Sequence, residues 1–120
     1  MKGIDTMKLW IDDVRPVPIT SAIPDDMEWG IAKSVNEAKK VIQWNEKMYK
    51  LFGIKEYAIE LIDIDHDAGD YAKDGGDYIK LLDWLEETGR NYPIRIHSMN
   101  PVGRQNMLAI CQKNGWKVIN

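Results

Sequence analysis

Three short apolar runs in this chain each end in a cluster of polar residues. The runs, with the clusters that follow them, are Leu9-Trp10-Ile11 before Asp12-Asp13, Leu61-Ile62-Asp63-Ile64 before Asp65-His66-Asp67, and Ile94-Arg95-Ile96 before His97-Ser98-Met99-Asn100. An apolar run of this length, bounded by turn-forming residues, is typical of a buried strand. Because parallel strands of an open α/β sheet end at the same edge, where such folds bind ligands, we expect the three clusters to form one site.

The whole pattern predicts five strands and three helices. The predicted strands are Met7–Asp12, Glu28–Ala32, Tyr57–Asp65, Ile94–His97 and Trp116–Ile119. The predicted helices cover about Val35–Phe52, about Asp77–Thr88, and a third segment from Asn100-Pro101 to about Lys113. Ser34 and Glu37 predict a capping box at the start of the first helix, and Gly53 predicts its end. The order β, β, α, β, α, β, α, β predicts one α/β domain of three layers with a five-stranded parallel sheet.

The connection between the first two predicted strands is unusual. Asp13–Asp26 contains Pro16, Pro18 and Pro24 and has no helical period, so we expect a loop. If the two strands are parallel neighbours, this loop must make the crossover without the helix that such connections normally contain.

Length, charge and cysteine content narrow the class of protein. The 120 residues suffice for one domain, and the net charge of −3 indicates neither an extended nucleic-acid surface nor binding to an anionic membrane. Cys111 is the only cysteine, so an intrachain disulfide is impossible and a reducing compartment is expected. Because no long apolar segment or signal-peptide pattern is present, we expect a cytoplasmic protein.

The aspartates of the first two clusters predict a divalent cation site. At a strand end the chain turns, so Asp12 and Asp13 can reach the same ion, while Asp65 and Asp67 share a side. Without a cation these carboxylates would repel one another. An oxygen-only set fits Mg²⁺ better than Zn²⁺, since the chain has two histidines and no thiol near them. The alternative is that the acids cap loops, above all in the glycine-containing segment with Asp67, Asp70, Asp74 and Asp77.

The third cluster predicts a phosphate site with a proton-transfer group. Asn100 and Pro101 open a helix whose free N–H groups, including that of Gly103, would attract an anion, and Arg104 could bind phosphate through two hydrogen bonds. Ser98 adds a hydroxyl, and His97 is placed to act as a general acid or base. His66 is a second candidate for that role. The alternative is that each histidine is a structural, hydrogen-bonded residue.

Three segments resemble a known family over nearly the full chain. They are Asp12-Asp13-Val14-Arg15-Pro16, Asp65-His66-Asp67-Ala68-Gly69 and His97-Ser98-Met99-Asn100-Pro101-Val102-Gly103-Arg104-Gln105-Asn106-Met107. An acid pair, an aspartate ending strand three and a hydroxyl residue ending strand four resemble the phosphoacceptor pocket of response-regulator receiver domains. The segments are more similar to the offshoot called cyclic-phosphate processing receiver domains. This resemblance implies a flavodoxin-like sheet of order 2-1-3-4-5 and a role in metabolising cyclic-phosphate ends.

The sequence also departs from ordinary receivers, and the departures rank the functional hypotheses. The lysine that follows strand five in receivers has no counterpart, and two histidines have entered the pocket. We therefore expect metal-dependent processing of a cyclic or terminal phosphate on a small nucleotide or an RNA end, with His97, His66 and Asp65 as the catalytic residues. The alternatives are a signalling receiver phosphorylated on Asp65, and a module that binds a nucleotide or phosphate without turnover.

Overall fold

The computed structural model describes residues 6–16 and 29–120, which contain four strands and three α-helices. The strands are β1 (Met7–Ile11), β2 (Trp29–Ala32), β3 (Ile59–Ile64) and β4 (Ile94–Ile96). The helices are α1 (Val35–Phe52), α2 (Ile79–Glu87) and α3 (Pro101–Asn114). Short 3₁₀ helices at Lys55–Tyr57 and Gly69–Lys73 precede and follow β3. Glu28 and most of the predicted proline-rich loop lie outside the described residues.

The four strands form one parallel sheet in the order β2-β1-β3-β4, which confirms the first four positions of the predicted order. The predicted fifth strand, Trp116–Ile119, is not confirmed within the described residues. There Val118 forms one isolated parallel bridge to Ile94, and the Ile119 amide donates to the Ile94 carbonyl at 2.8 Å.

All three helices pack on one face of the sheet. The strand residues on that face are buried, and they are Leu9, Ile11, Ile62, Ile64, Ile94 and Ile96. They share one core with buried side chains of every helix, such as Ile42, Leu82 and Met107. The steps from β2 to β3 to β4 run in one direction across the sheet, so right-handed crossovers place their helices on the same side. The predicted three layers are therefore two in residues 6–16 and 29–120.

The predicted capping signals are borne out at α1. The Ser34 hydroxyl accepts a hydrogen bond from the Glu37 amide at 3.0 Å, and the Glu37 carboxylate reaches back to the Lys33 amide at 2.7 Å. Gly53 ends the helix in the left-handed conformation, with a φ of 65°. No helix in the described part of the chain is long and apolar enough to cross a lipid bilayer.

The segment between β3 and α2 is fastened to the start of α1. Asp74 accepts hydrogen bonds from the Ser34 hydroxyl at 2.6 Å and from the Asn36 side-chain amide at 3.1 Å. These two bonds hold the pKa of Asp74 below its usual range. The loop that follows Asp65 is thereby anchored at its far end by contacts with another element.

Candidate active site

Three of the predicted site residues meet at the carboxyl ends of the strands. Asp12 follows β1, Asp65 follows β3 and His97 follows β4. One carboxylate oxygen of each aspartate and one ring nitrogen of the histidine lie within 4.8 Å of one another. Both aspartates are buried, and the histidine side chain is 9% exposed. The parallel sheet thus brings together residues that lie up to 85 positions apart in sequence.

His97 is held between two carboxylates rather than left free beside the helix start. Its Nδ1 lies 2.6 Å from Oδ1 of Asp63, and its Nε2 lies 2.9 Å from Oδ2 of Asp12. The imidazole also stacks on the indole of Trp10, with ring centroids 4.0 Å apart and an interplanar angle of 3°. With both ring nitrogens engaged, His97 has no unoccupied nitrogen to offer a substrate in this arrangement.

Asp63 is a site residue that the sequence analysis missed. It is fully buried in β3, where it also lies 3.2 Å from the Arg95 guanidinium of the neighbouring strand. The signal was present, because Asp63 interrupts the otherwise apolar run from Leu61 to Ile64 and a buried charge requires a partner. The sequence did not indicate that the partner would be His97.

Asp12 is set up to stay ionised. Its Oδ1 accepts hydrogen bonds from the backbone amides of Val14 at 3.0 Å and Arg15 at 2.8 Å. Burial alone would raise its pKa, but these amides and the His97 contact outweigh burial and place the pKa of Asp12 below its usual range. A buried carboxylate whose surroundings favour its charged form is suited to binding a cation.

Asp13 and Asp67, two further predicted metal ligands, are not brought into this group. A Cβ added at Gly69 would lie 2.4 Å from Oδ2 of Asp13, so the carboxylate packs directly on this glycine, whose φ is +55°. Burial and the nearby charges of Asp12 and Asp65 raise the pKa of Asp13. Asp67 is exposed and accepts the Gly69 amide at 3.0 Å, which is the capping role that was its alternative.

Arg15 lies over the acidic group, and the sequence analysis gave it no role. Its Nε is 3.7 Å from Oδ2 of Asp12, its Nη2 is 3.9 Å from Oδ2 of Asp65, and its Nη1 donates to the His97 carbonyl at 3.4 Å. The side chain is 47% exposed. These contacts are long for charge-assisted hydrogen bonds, so the guanidinium neutralises the cluster without committing its donors to one carboxylate.

His66 packs against the first turn of α3. A Cβ added at Gly103 would lie 2.3 Å from Cδ2 and 2.5 Å from Nε2 of the imidazole, so the ring touches the helix backbone. Nδ1 of His66 is buried and has no hydrogen-bond partner among the described residues. Gly103, predicted as a phosphate-binding residue, thus makes room for a histidine.

The start of α3 offers fewer free donors than predicted. The Asn100 side chain accepts the Gly103 amide at 3.0 Å, and the Asn100 carbonyl accepts the Arg104 amide at 2.8 Å. Pro101 has no N–H, so Val102 keeps the one first-turn amide without a partner among the described residues. Most of the expected anion site is therefore used to cap the helix.

The two other predicted phosphate ligands also have internal partners. Nη1 of Arg104 donates to the carbonyl of Ile96 at the end of β4. The Ser98 oxygen accepts the Asn100 amide at 3.0 Å, although its hydroxyl proton remains available to donate. Arg15 is thus the arginine that contacts the acidic group, whereas Nη1 of Arg104 contacts the backbone at the end of β4.

This parallel sheet, with acids after β1 and β3 and a hydroxyl residue after β4, defines a receiver-like α/β domain. A family model described as cyclic-phosphate processing receiver domain matches residues 7–113. The chain belongs to this family, as the resemblance in its three segments implied. Neither a search of curated proteins nor a search of solved structures found a match.

Proposed function

We propose that this domain processes a cyclic or terminal phosphate on a small nucleotide or an RNA end, with a divalent cation held by Asp12 and Asp65. One observation carries the proposal: two buried carboxylates and an imidazole converge at the strand ends, with a partly exposed arginine over them. A phosphate ester needs such a combination, because a cation and an arginine can share its negative charge. Membership of the cyclic-phosphate processing family supports this class of substrate.

The residues present fit a divalent cation. Asp12 and Asp65 offer buried oxygen ligands, and the low pKa of Asp12 keeps that carboxylate ionised. Mg²⁺ is the ion that the carboxylates alone favour. When bound, such an ion would polarise a phosphoryl oxygen and activate a water molecule. Asp13 lies beside these two acids and is a candidate to bind through water.

Phosphate binding is assigned to Arg15 in place of Arg104. The Arg15 guanidinium is partly exposed, and its contacts with Asp12 and Asp65 are long. It can therefore direct its N–H donors at a phosphate without breaking a short hydrogen bond. The Val102 amide and the Ser98 hydroxyl complete the donor set. Nη1 of Arg104 instead binds a carbonyl of the fold.

Proton transfer is assigned to His66 in place of His97. Both ring nitrogens of His97 are held by carboxylates, whereas Nδ1 of His66 has no partner in the described part of the chain. His66 directly follows Asp65 in sequence, and Oδ1 of Asp65 accepts a hydrogen bond from the His66 backbone amide at 2.8 Å. The His66 ring packs on Gly103. It can therefore give a proton to, or take one from, a group bound between the acids and the helix.

The test is turnover of a panel of 2′,3′-cyclic and linear nucleotides, with and without Mg²⁺ or Mn²⁺. Asp12→Asn combined with Asp65→Asn should abolish both turnover and the rise in melting temperature that the cation produces by mass action. Asp70→Asn, which alters an exposed acid in the loop after β3, is the control and should change neither. His66→Gln should reduce turnover by about 10²–10⁴. Wild-type protein that turns over no member of the panel would refute the enzymatic proposal.

The position of Asp65 supports a second candidate, a signalling receiver phosphorylated on this residue. Asp65 ends β3 beside Asp12, which is the place that a receiver's phosphoacceptor occupies in the resemblance. Incubation with a small-molecule phosphodonor and Mg²⁺, followed by intact-protein mass measurement, separates the two candidates. A stable phosphate adduct that Asp65→Asn removes would favour signalling over processing.

A further inference from the structure

We infer that this site selects a first-row transition-metal dication, such as Mn²⁺, Co²⁺ or Zn²⁺, over Mg²⁺, because Nε2 of His97 is a third protein ligand beside Asp12 and Asp65. The inference rests on the proposed function in that it concerns the same cation. It differs from the Mg²⁺ prediction, which considered carboxylates alone.

The spacing of the three ligand atoms suits one ion. Two ligands bound at about 2.1 Å in neighbouring octahedral positions lie about 3 Å apart. Nε2 of His97 and Oδ2 of Asp12 are 2.9 Å apart, and all three ligand atoms, including one from Asp65, lie within 4.8 Å of one another. Binding of one ion by all three residues would draw the Asp65 oxygen to about 3 Å from a neighbouring ligand atom.

The surroundings of His97 orient its ring as a ligand. Protein metal sites commonly place a carboxylate behind the histidine, where it accepts the N–H of the ring nitrogen that does not bind the ion. Asp63 lies 2.6 Å from Nδ1, on the ring edge away from Asp12, and is itself 3.2 Å from Arg95. Stacking on Trp10 limits rotation of the ring. Asp63 is thus a positioning residue that directs Nε2 toward the two acids.

The ligand type then decides which ions bind well. Mg²⁺ prefers oxygen ligands and keeps several waters, whereas imidazole is a good ligand for Zn²⁺ and other first-row transition metals. His66 does not supply this nitrogen, because its ring packs against Gly103 and lies outside the ligand group. His97 alone therefore makes the difference between an oxygen-only site and a mixed one.

The test measures metal binding in the absence of substrate. Dissociation constants for Mg²⁺, Mn²⁺, Co²⁺ and Zn²⁺ are obtained by calorimetry for the wild type, His97→Gln, Asp63→Asn and, as the matched control, His66→Gln. Pulsed electron paramagnetic resonance of the Mn²⁺ complex reports coordinated nitrogen directly. We expect nitrogen coupling in the wild type and in His66→Gln, and none in His97→Gln.

The selectivity of the variants should follow the same order. Asp63→Asn should weaken Co²⁺ and Zn²⁺ by about 10–100-fold, as expected for loss of a carboxylate behind a ligating histidine, and change Mg²⁺ little. His97→Gln should reduce the preference for these ions over Mg²⁺ further. Melting curves show which variants are folded, and the wild-type nitrogen coupling decides the question even if His97→Gln does not fold.

A Mn²⁺ complex without nitrogen coupling, or no binding of any ion to the wild type, would overturn the inference. So would an unchanged ion preference in folded His97→Gln. Turnover of the nucleotide panel is measured separately, so the two failures are distinguishable. A protein that processes cyclic phosphates with Mg²⁺ bound through oxygens alone would keep the proposed function and lose this inference.

Discussion

Replacing Gly103 with alanine should destabilise the protein, although glycine is a poor helix former. Alanine in an exposed helix interior is favoured over glycine by up to about 1 kcal/mol. At this position the new Cβ would lie 2.3 Å from Cδ2 of His66 and meet three atoms of a rigid ring, not the end of a flexible side chain. Overpacking of this kind costs about 1–3 kcal/mol. The clash should therefore win, with a net loss of about 0.5–2 kcal/mol.

Urea unfolding of five proteins tests this balance: the wild type, Gly103→Ala, Ala109→Gly, His66→Ala and the double variant. Ala109→Gly, at an exposed position of the same helix, measures the intrinsic preference for alanine in α3. The double variant His66→Ala with Gly103→Ala removes the ring, and we expect alanine at position 103 to become neutral or stabilising there. The difference between the two backgrounds is the coupling energy of the pair. A Gly103→Ala protein more stable than the wild type, or no coupling with His66, would refute the packing described here.

Four further outcomes are expected. Arg15→Gln should weaken binding of a cyclic nucleotide, measured by calorimetry, by about 1.5–3 kcal/mol because charged hydrogen bonds are lost. Arg104→Gln should mainly lower the melting temperature. Equal effects of the two variants on binding would contradict the assignment of phosphate binding to Arg15. In metal-free protein, the raised pKa of Asp13 means that its charged form destabilises the fold, so Asp13→Asn should raise the melting temperature at pH 7 and lose this advantage below the unfolded pKa. Asp12→Asn should lower the melting temperature at pH 7, because the lowered pKa of Asp12 means that its charged form stabilises the fold. This stability is present above the pKa of the unfolded state and is lost as the pH falls through the pKa of the folded state. Asp74→Ala should lower the midpoint of urea unfolding by freeing the start of α1, and an unchanged midpoint would show that its two hydrogen bonds contribute nothing.

The sequence predicted the elements whose signals are local. The apolar runs of β1, β3 and β4 and the capping residues of α1 lie within a few positions of one another, so backbone and capping rules sufficed. Convergence of Asp12, Asp65 and His97 was also predictable, because parallel strands end at one edge whatever their side chains do. The isolated bridge at Val118 could not be predicted in this way, since it depends on where β4 ends.

The roles of individual side chains were harder to predict, because each depends on a partner distant in sequence. His97 was expected to be free, but its nitrogens are engaged by Asp63, 34 positions away, and by Asp12, 85 positions away. Arg15 and Arg104 have the same chemistry, and only the fold shows that the first reaches the acids. Helix-start amides were expected to be open, but Asn100 accepts those of Gly103 and Arg104.

Under the proposed function, the long contacts of Arg15 would make binding of a cation and binding of a phosphate mutually dependent. In their absence the guanidinium supplies the positive charge over Asp12 and Asp65, so the acids do not need an ion in order to fold. A cation that binds these carboxylates displaces the guanidinium, and a phosphate that engages the guanidinium removes the cation's competitor. By thermodynamic reciprocity, each ligand then raises the affinity of the other by the same factor. If the proposed function is right, such a domain would hold a metal weakly while empty and tightly while a phosphate is bound.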